Sequence, residues 1–220
     1  MNKKMDSIKS QEDALFEKWR NFIPKLVSDG VANETEYLSS QFKILYLLKE
    51  VNGGENWDLR EFIMNGGRPR TWDNIARWTE GILNLDKDHS WEELDKNTEH
   101  RRKQYLPKIC AMNLKKTSGT YTSISRQIKN AAEDYKHNLK EQLAIYKPDI
   151  IICCGTCDEY VKIMYENKKP DWKMTKRGIW FIREENKIII SFAHPESRIK
   201  SCLLYYALID AIKEIFDVTV

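Results

Sequence analysis

Residues 43–49 read KILYLLK, residues 108–114 read KICAMNL and residues 149–154 read DIIICC. Each run is short and apolar at consecutive rather than alternate positions. A strand with one wet face alternates. A strand covered on both faces does not, and such strands belong to parallel sheets flanked by helices. The intervening stretches carry helical spacing. Residues 11–27 bring Leu15, Phe16, Trp19, Phe22, Ile23 and Leu26 to one side. A short helix is predicted over 34–41, and Thr71 is placed to cap a helix carrying Trp72, Ile75, Trp78, Ile82 and Leu83. Residues 91–104 read as a polar helix and 123–146 as one long helix. Thr156 is placed to cap a helix reaching about Glu166, and a last helix covers 199–216. Two more strands, 178–183 and 187–193, are joined by a tight turn at Glu184-Glu185-Asn186. This alternation predicts an α/β fold: three layers, α/β/α, around a central, mostly parallel sheet of four to five strands. The 220 residues read as a single domain, with residues 1–40 as an N-terminal helical extension.

Composition narrows the partners. Net charge is only +3, but eight Lys or Arg and no Asp or Glu fall between His100 and Ala132. Arg101, Arg102, Lys103, Lys108, Lys115, Lys116, Arg126 and Lys129 make that run. It is either a solvated face or a patch for a polyanion. Residues 1–11 are too polar for a signal peptide, and no apolar run reaches the roughly 18–20 residues that span a bilayer. Five Cys, three of them in CCGTC, make a poor disulfide framework and suit a reducing cytoplasm. Cys153 and Cys154 alternate across a strand, and no second Cys pair completes a tetrahedral set, so no metal is expected. No GxSxG elbow, GxxxxGK[ST] loop or GxGxxG turn is present, which removes the usual signals of serine hydrolases, P-loop enzymes and dinucleotide redox enzymes.

In doubly wound sheets ligands bind beyond the carboxyl ends of the strands. The first strand delivers Glu50, Val51, Asn52 and Gly53; the second delivers Asn113; the third delivers Gly155 and Thr156; the last ends at His194 in ISFAHPESR. Glu50 there is either solvated or held in a cleft, and His194 is either a turn residue or a site residue. Trp57 and Phe62 follow the first strand and can serve the core or stack a flat base.

Taken in order, KEVNG, MNLKK, DIIICCGT and HPES resemble the four motif regions of the uracil-DNA glycosylase superfamily over about residues 43–215. The resemblance implies that family's α/β/α fold and a monofunctional DNA glycosylase. Such an enzyme flips out and hydrolytically removes uracil or a modified pyrimidine, in DNA repair or in phage defence, without a cofactor. It implies catalytic roles for Glu50, Asn52 and His194, and base contacts from Asn113 and from Phe62 or Trp57. It also implies DNA contacts from Lys115, Lys116, Ser197 and Arg198, in a cytoplasmic monomer. The chain departs from the motifs at Lys49, where a Gly is usual; at Val51, where other branches place a water-positioning Asp or Asn; at Asn52, in place of Pro; and at Glu196, which intrudes into HPS. Two other readings stay open: a catalytically inactive nucleic-acid-binding protein on the same fold, and an enzyme acting on free nucleosides or nucleotides. A partner-binding α/β protein using the Trp-rich 57–91 segment is a further one.

Overall fold

A computed structural model describes residues 7–120, 122–166 and 168–218. Residues 1–6, which open the segment read as lacking a signal peptide, lie outside the described residues.

The apolar runs form the middle of the sheet. β2 (Ile44–Leu48), β3 (Ile109–Asn113), β4 (Ile150–Cys154) and β7 (Lys187–Phe192) lie parallel in the order β3-β2-β4-β7. All residues of β2, β3 and β4 are buried, as consecutive apolar residues require. Alternate side chains feed two cores. Ile44, Tyr46, Leu48, Ile109, Ala111, Ile150, Ile152 and Cys154 belong to one. Leu45, Leu47, Cys110, Met112, Ile151 and Cys153 belong to the other. Cys153 and Cys154 therefore fall on opposite faces, as their alternation predicts. The first core is covered by α3 (Leu59–Met64), α4 (Thr71–Leu83) and α10 (Ser201–Ile215). The second is covered by α1 (Ile8–Arg20), α2 (Glu34–Ser39), α7 (Ser125–Asp134), α8 (Lys136–Tyr146) and α9 (Cys157–Tyr165).

The fold is α/β with helices on both faces, but its sheet has seven strands and is mixed. β6 (Trp180–Glu184) turns back antiparallel to β7 through Glu185-Asn186, where the tight turn was expected. β5 (Trp172–Met174) pairs antiparallel with β6, and β1 (Gly30–Val31) with β3. The four-to-five-strand expectation counted neither edge. β1 has two residues, and all three residues of β5 are exposed, so neither carries a burial pattern.

The described part of the segment read as a helical extension, residues 7–40, packs into the body of the fold. Leu15, Phe16 and Trp19 of α1 are buried in the second core, and β1 completes one sheet edge. The long helix predicted over 123–146 is two helices that break at Tyr135, whose ring packs edge-on against Trp19 at 6.1 Å. The polar helix over 91–104 is likewise two, α5 (Trp91–Asp95) and α6 (Thr98–Tyr105), separated by Asn97 in the left-handed region. Neither predicted threonine cap forms. Arg70 precedes α4 at φ 67°, its N–H donating to Asp73 at 3.1 Å. The Thr156 hydroxyl instead donates to the Leu47 carbonyl at 2.8 Å, tying α9 to β2.

Candidate functional site

β2 is central, with β3 on one side and β4 on the other. The chain leaves β2, crosses to β3, and returns past β2 to β4. The crevice beyond the carboxyl end of β2 is thus the topological switch point where open α/β sheets bind ligands.

A cavity of about 460 Å³ opens there. Glu50, Asn52, Trp57, Phe62, Asn113 and His194 all line it. β2 supplies Glu50 and Asn52 at its exit, β3 supplies Asn113 as its last residue, and β7 ends two residues before His194. Asn113 continues the Ile109–Ala111 alternation toward the first core, so its amide faces the side of the sheet where α3 and α4 pack. Three aromatic rings build one wall. Trp57 and Phe62 meet edge-on at 5.5 Å, and Phe62 and Trp72 at 6.4 Å.

His194 is held in one tautomer. Its Nδ1 accepts the Glu196 backbone N–H at 3.1 Å, so the neutral ring carries its proton on Nε2. Burial, and then the nearby Lys49 ammonium, depress its pKa below the ordinary histidine value, while Glu196 opposes that shift. The turn beneath it is pinned twice. The Ser197 N–H donates to the His194 carbonyl at 2.8 Å, closing a four-residue turn with Pro at its second position. Asn74 on α4 donates its amide to the Pro195 carbonyl at 2.8 Å.

Asn113 is 2% exposed, and its Oδ1 is buried without a hydrogen-bond partner. A buried acceptor left unpaired costs about 1–3 kcal/mol, so a ligand donor reaching it gains that amount. Its backbone N–H donates to Asp29 Oδ2 at 2.7 Å. Asp29 is fully buried and also accepts from Lys116 Nζ at 2.7 and 2.8 Å and from Gln142 at 2.8 Å. Trp19 covers the Lys116 ammonium, its ring centroid 5.2 Å away.

This corrects the assignment of Lys116 to DNA. The side chain has no exposed surface; burial lowers its pKa, which Asp29 opposes, and it anchors the strand that presents Asn113. Lys115 is corrected in the same way. Its Nζ sits 2.5 Å from Glu50 and bonds the Ser118 carbonyl at 3.2 Å, under a loop that folds back over β2. Gly119 in that loop donates its N–H to the Val51 carbonyl at 2.8 Å, and any Cβ at 119 would collide with the Glu50 carboxylate. Glu50 is therefore an ion-paired wall of the cavity, with 4% of its side chain exposed.

Most of the remaining basic run is also internally neutralised. Arg101 pairs with Glu80, Arg102 with Asp73, Lys103 with Glu99 and Lys108 with Glu36. Arg126 and Lys129 have no carboxylate partner among the described residues, and neither lines the cavity. Four other cations without such a partner, Arg68, Arg70, Arg198 and Lys49, lie around the site. Arg68 lines the main cavity. Lys49, Arg70 and Arg198, with Thr122, Ser123 and Ser197, line an adjoining cavity of about 430 Å³. His194 and Glu196 belong to both. Ser197 and Arg198 thus lie beside the main cavity, and the Ser197 hydroxyl oxygen is buried without a partner. Sequence reading missed Arg68 and Arg70, although Gly-Gly-Arg-Pro-Arg ahead of α4 was a visible basic loop. It also missed Asp29, whose Ser28-Asp29-Gly30 context reads as a turn.

All five cysteines are free, and among the described residues no group of three or more His, Cys, Asp or Glu is placed to hold a metal. Among the described residues no helix is long and apolar enough to cross a membrane. No family model and no curated protein matches the chain.

Proposed function

We propose that the chain is a DNA glycosylase of uracil-DNA glycosylase type, acting on uracil or a modified pyrimidine flipped out of DNA into the 460 Å³ cavity. The observation that carries this reading is the convergence of Asn113, with its orphaned buried acceptor, and His194, with its fixed tautomer, on one aromatic-walled pocket. A duplex base is unreachable without extrusion, which costs a few kcal/mol. Phosphate contacts offset that cost without reading sequence. Arg70, Arg198 and Ser197 supply them in the adjoining cavity, in place of Lys115 and Lys116.

Cleavage of the N-glycosidic bond leaves the electron pair on the base and positive charge on the sugar. The His194 Nε2–H donates to the base carbonyl where negative charge grows, and its pinned turn holds the donor ready. One such donor is worth about 3–4 kcal/mol. Asn113 Oδ1 accepts from a ring N–H or exocyclic amino group. Trp57 and Phe62 cover the ring face. The Glu50 carboxylate stabilises the cationic sugar, and Asn52, exposed at the rim, orients the attacking water. A pocket of this volume falls in the ~300–1,000 Å³ range of small-molecule sites, which leaves room for a substituted pyrimidine. We assign the reaction to the cytoplasm, where the five thiols stay reduced, and to a monomer.

One observation favours a second reading. Val51 stands where other branches position the water, and it is buried and apolar. A base-binding protein without hydrolysis would have that feature. Abasic-site formation separates the two. Single-turnover base release cut strongly in both His194→Ala and Asn113→Ala supports the enzyme. Tight DNA binding with no abasic product supports the binder.

A further inference from the structure

Lys49 leaves β2 one residue before Glu50 and has no hydrogen bond or ion pair from its amine among the described residues. Lys115, whose backbone N–H donates to the Lys49 carbonyl at 2.9 Å, is neutralised by Glu50, and the next residue, Lys116, by Asp29. The Lys49 stem crosses Gly155, which sits at φ 68°; a Cβ there would lie 3.4 Å from Lys49 Cε and 3.6 Å from Nζ. The amine faces the 430 Å³ cavity together with His194, Glu196, Arg70 and Arg198. An amine, two further cations, an imidazole and a carboxylate thus line a chamber that abuts the base cavity across His194.

We propose that Lys49 is a Schiff-base nucleophile that gives the protein a lyase activity on abasic DNA, beyond monofunctional base release. The inference rests on the reading that this cleft takes DNA. An abasic deoxyribose opens to an aldehyde at C1′. The Lys49 nitrogen pair adds to that carbon, and loss of water leaves an imine. The Glu196 carboxylate removes a C2′ proton. The C2′–H electron pair forms the C2′=C3′ double bond, the C3′–O bond breaks, and the 3′-phosphate departs toward Arg70 and Arg198. Water then hydrolyses the imine and returns the free amine. Atoms and electrons balance with no oxidant or reductant.

The test uses DNA that already contains an abasic site, so it does not depend on base release. The full chain is incubated with this DNA and sodium borohydride, which reduces an imine to a stable amine link. The expected result is a covalent protein–DNA adduct mapping to the Lys49 peptide, with strand nicking when borohydride is omitted. Lys49→Arg keeps the charge but forms no imine, so adduct and nicking are lost while abasic-DNA binding persists. No adduct with the wild-type chain, an adduct on another amine, or an adduct that survives Lys49→Arg overturns the proposal. Base release from intact DNA, measured separately, reports on the glycosylase reading by itself.

Discussion

The cations of the 100–132 stretch and those around the two cavities make opposite use of the same chemistry. In the stretch, six of the eight cations are paired: Lys116 is sealed against Asp29 and Trp19, Lys115 holds Glu50, and Arg101, Arg102, Lys103 and Lys108 each meet a carboxylate, while Arg126 and Lys129 on α7 do not among the described residues. Around the cavities, Lys49, Arg68, Arg70 and Arg198 have no carboxylate within salt-bridge reach among the described residues. The denser cluster along the chain is the one mostly tied up in ion pairs within the fold. The sparser set, drawn from the β2 exit, the loop before α4 and the turn after β7, is the one open to an anion. Pairing, not density, decides which positive charges remain for a ligand.

Breaking Lys116 gives the largest expected effect. Lys116→Ala strands the Asp29 carboxylate in a dry core and is expected to cost about 3–5 kcal/mol of stability, read from urea unfolding. A loss below 1 kcal/mol would mean the pair is not sealed, and the comparison would blur.

His194→Ala comes next. Base release is expected to fall about 10²–10³-fold in single turnover, the usual cost of one preorganised donor, with an unchanged unfolding midpoint. The same residue sets a pH dependence. Burial makes the folded imidazole a weaker base than an unfolded one, so protonation is disfavoured and arrives only below pH 6.5. Once it arrives, Nδ1 can no longer accept the Glu196 N–H. Base release is therefore expected to hold through neutrality and decline on the acid side, with an inflection below 6.5. An inflection above that value would place His194 in a different environment.

Arg70→Ala and Arg198→Ala test the other half of the comparison. Each is expected to lower DNA affinity and to reduce the salt slope by about 0.7–0.9. Lys103→Ala marks the floor. Its exposed i,i+4 pair with Glu99 is expected to leave stability, affinity and salt slope unchanged within error. A slope change at Lys103 equal to that at Arg198 would return the basic stretch to the DNA surface.

The sheet's parallel centre was legible because KILYLLK, KICAMNL and DIIICC each hold a run of five residues buried at every position. Its edges were not, since Gly30–Val31 and the exposed Trp172–Met174 form by pairing with strands already in place. The Tyr135 helix break was hidden for a related reason: no Pro or Gly marks it, and its ring packs against a helix more than a hundred residues earlier in the chain. At the site, residues that leave strand ends could be read, because the direction of a parallel strand fixes where its carboxyl end delivers them. Glu50, Asn113 and His194 are of this kind. The partners that disarm a charge could not, because Asp29 reaches Lys116 across 87 positions and Glu50 reaches Lys115 across 65.

The most direct measurement is abasic-site formation across a panel of DNAs bearing normal, deaminated and modified pyrimidines, single- and double-stranded, with wild-type protein beside His194→Ala. The account predicts abasic product on at least one DNA of the panel, lost in the variant. No abasic product on any DNA, or release of base from mononucleotides at a rate indifferent to salt, would contradict it.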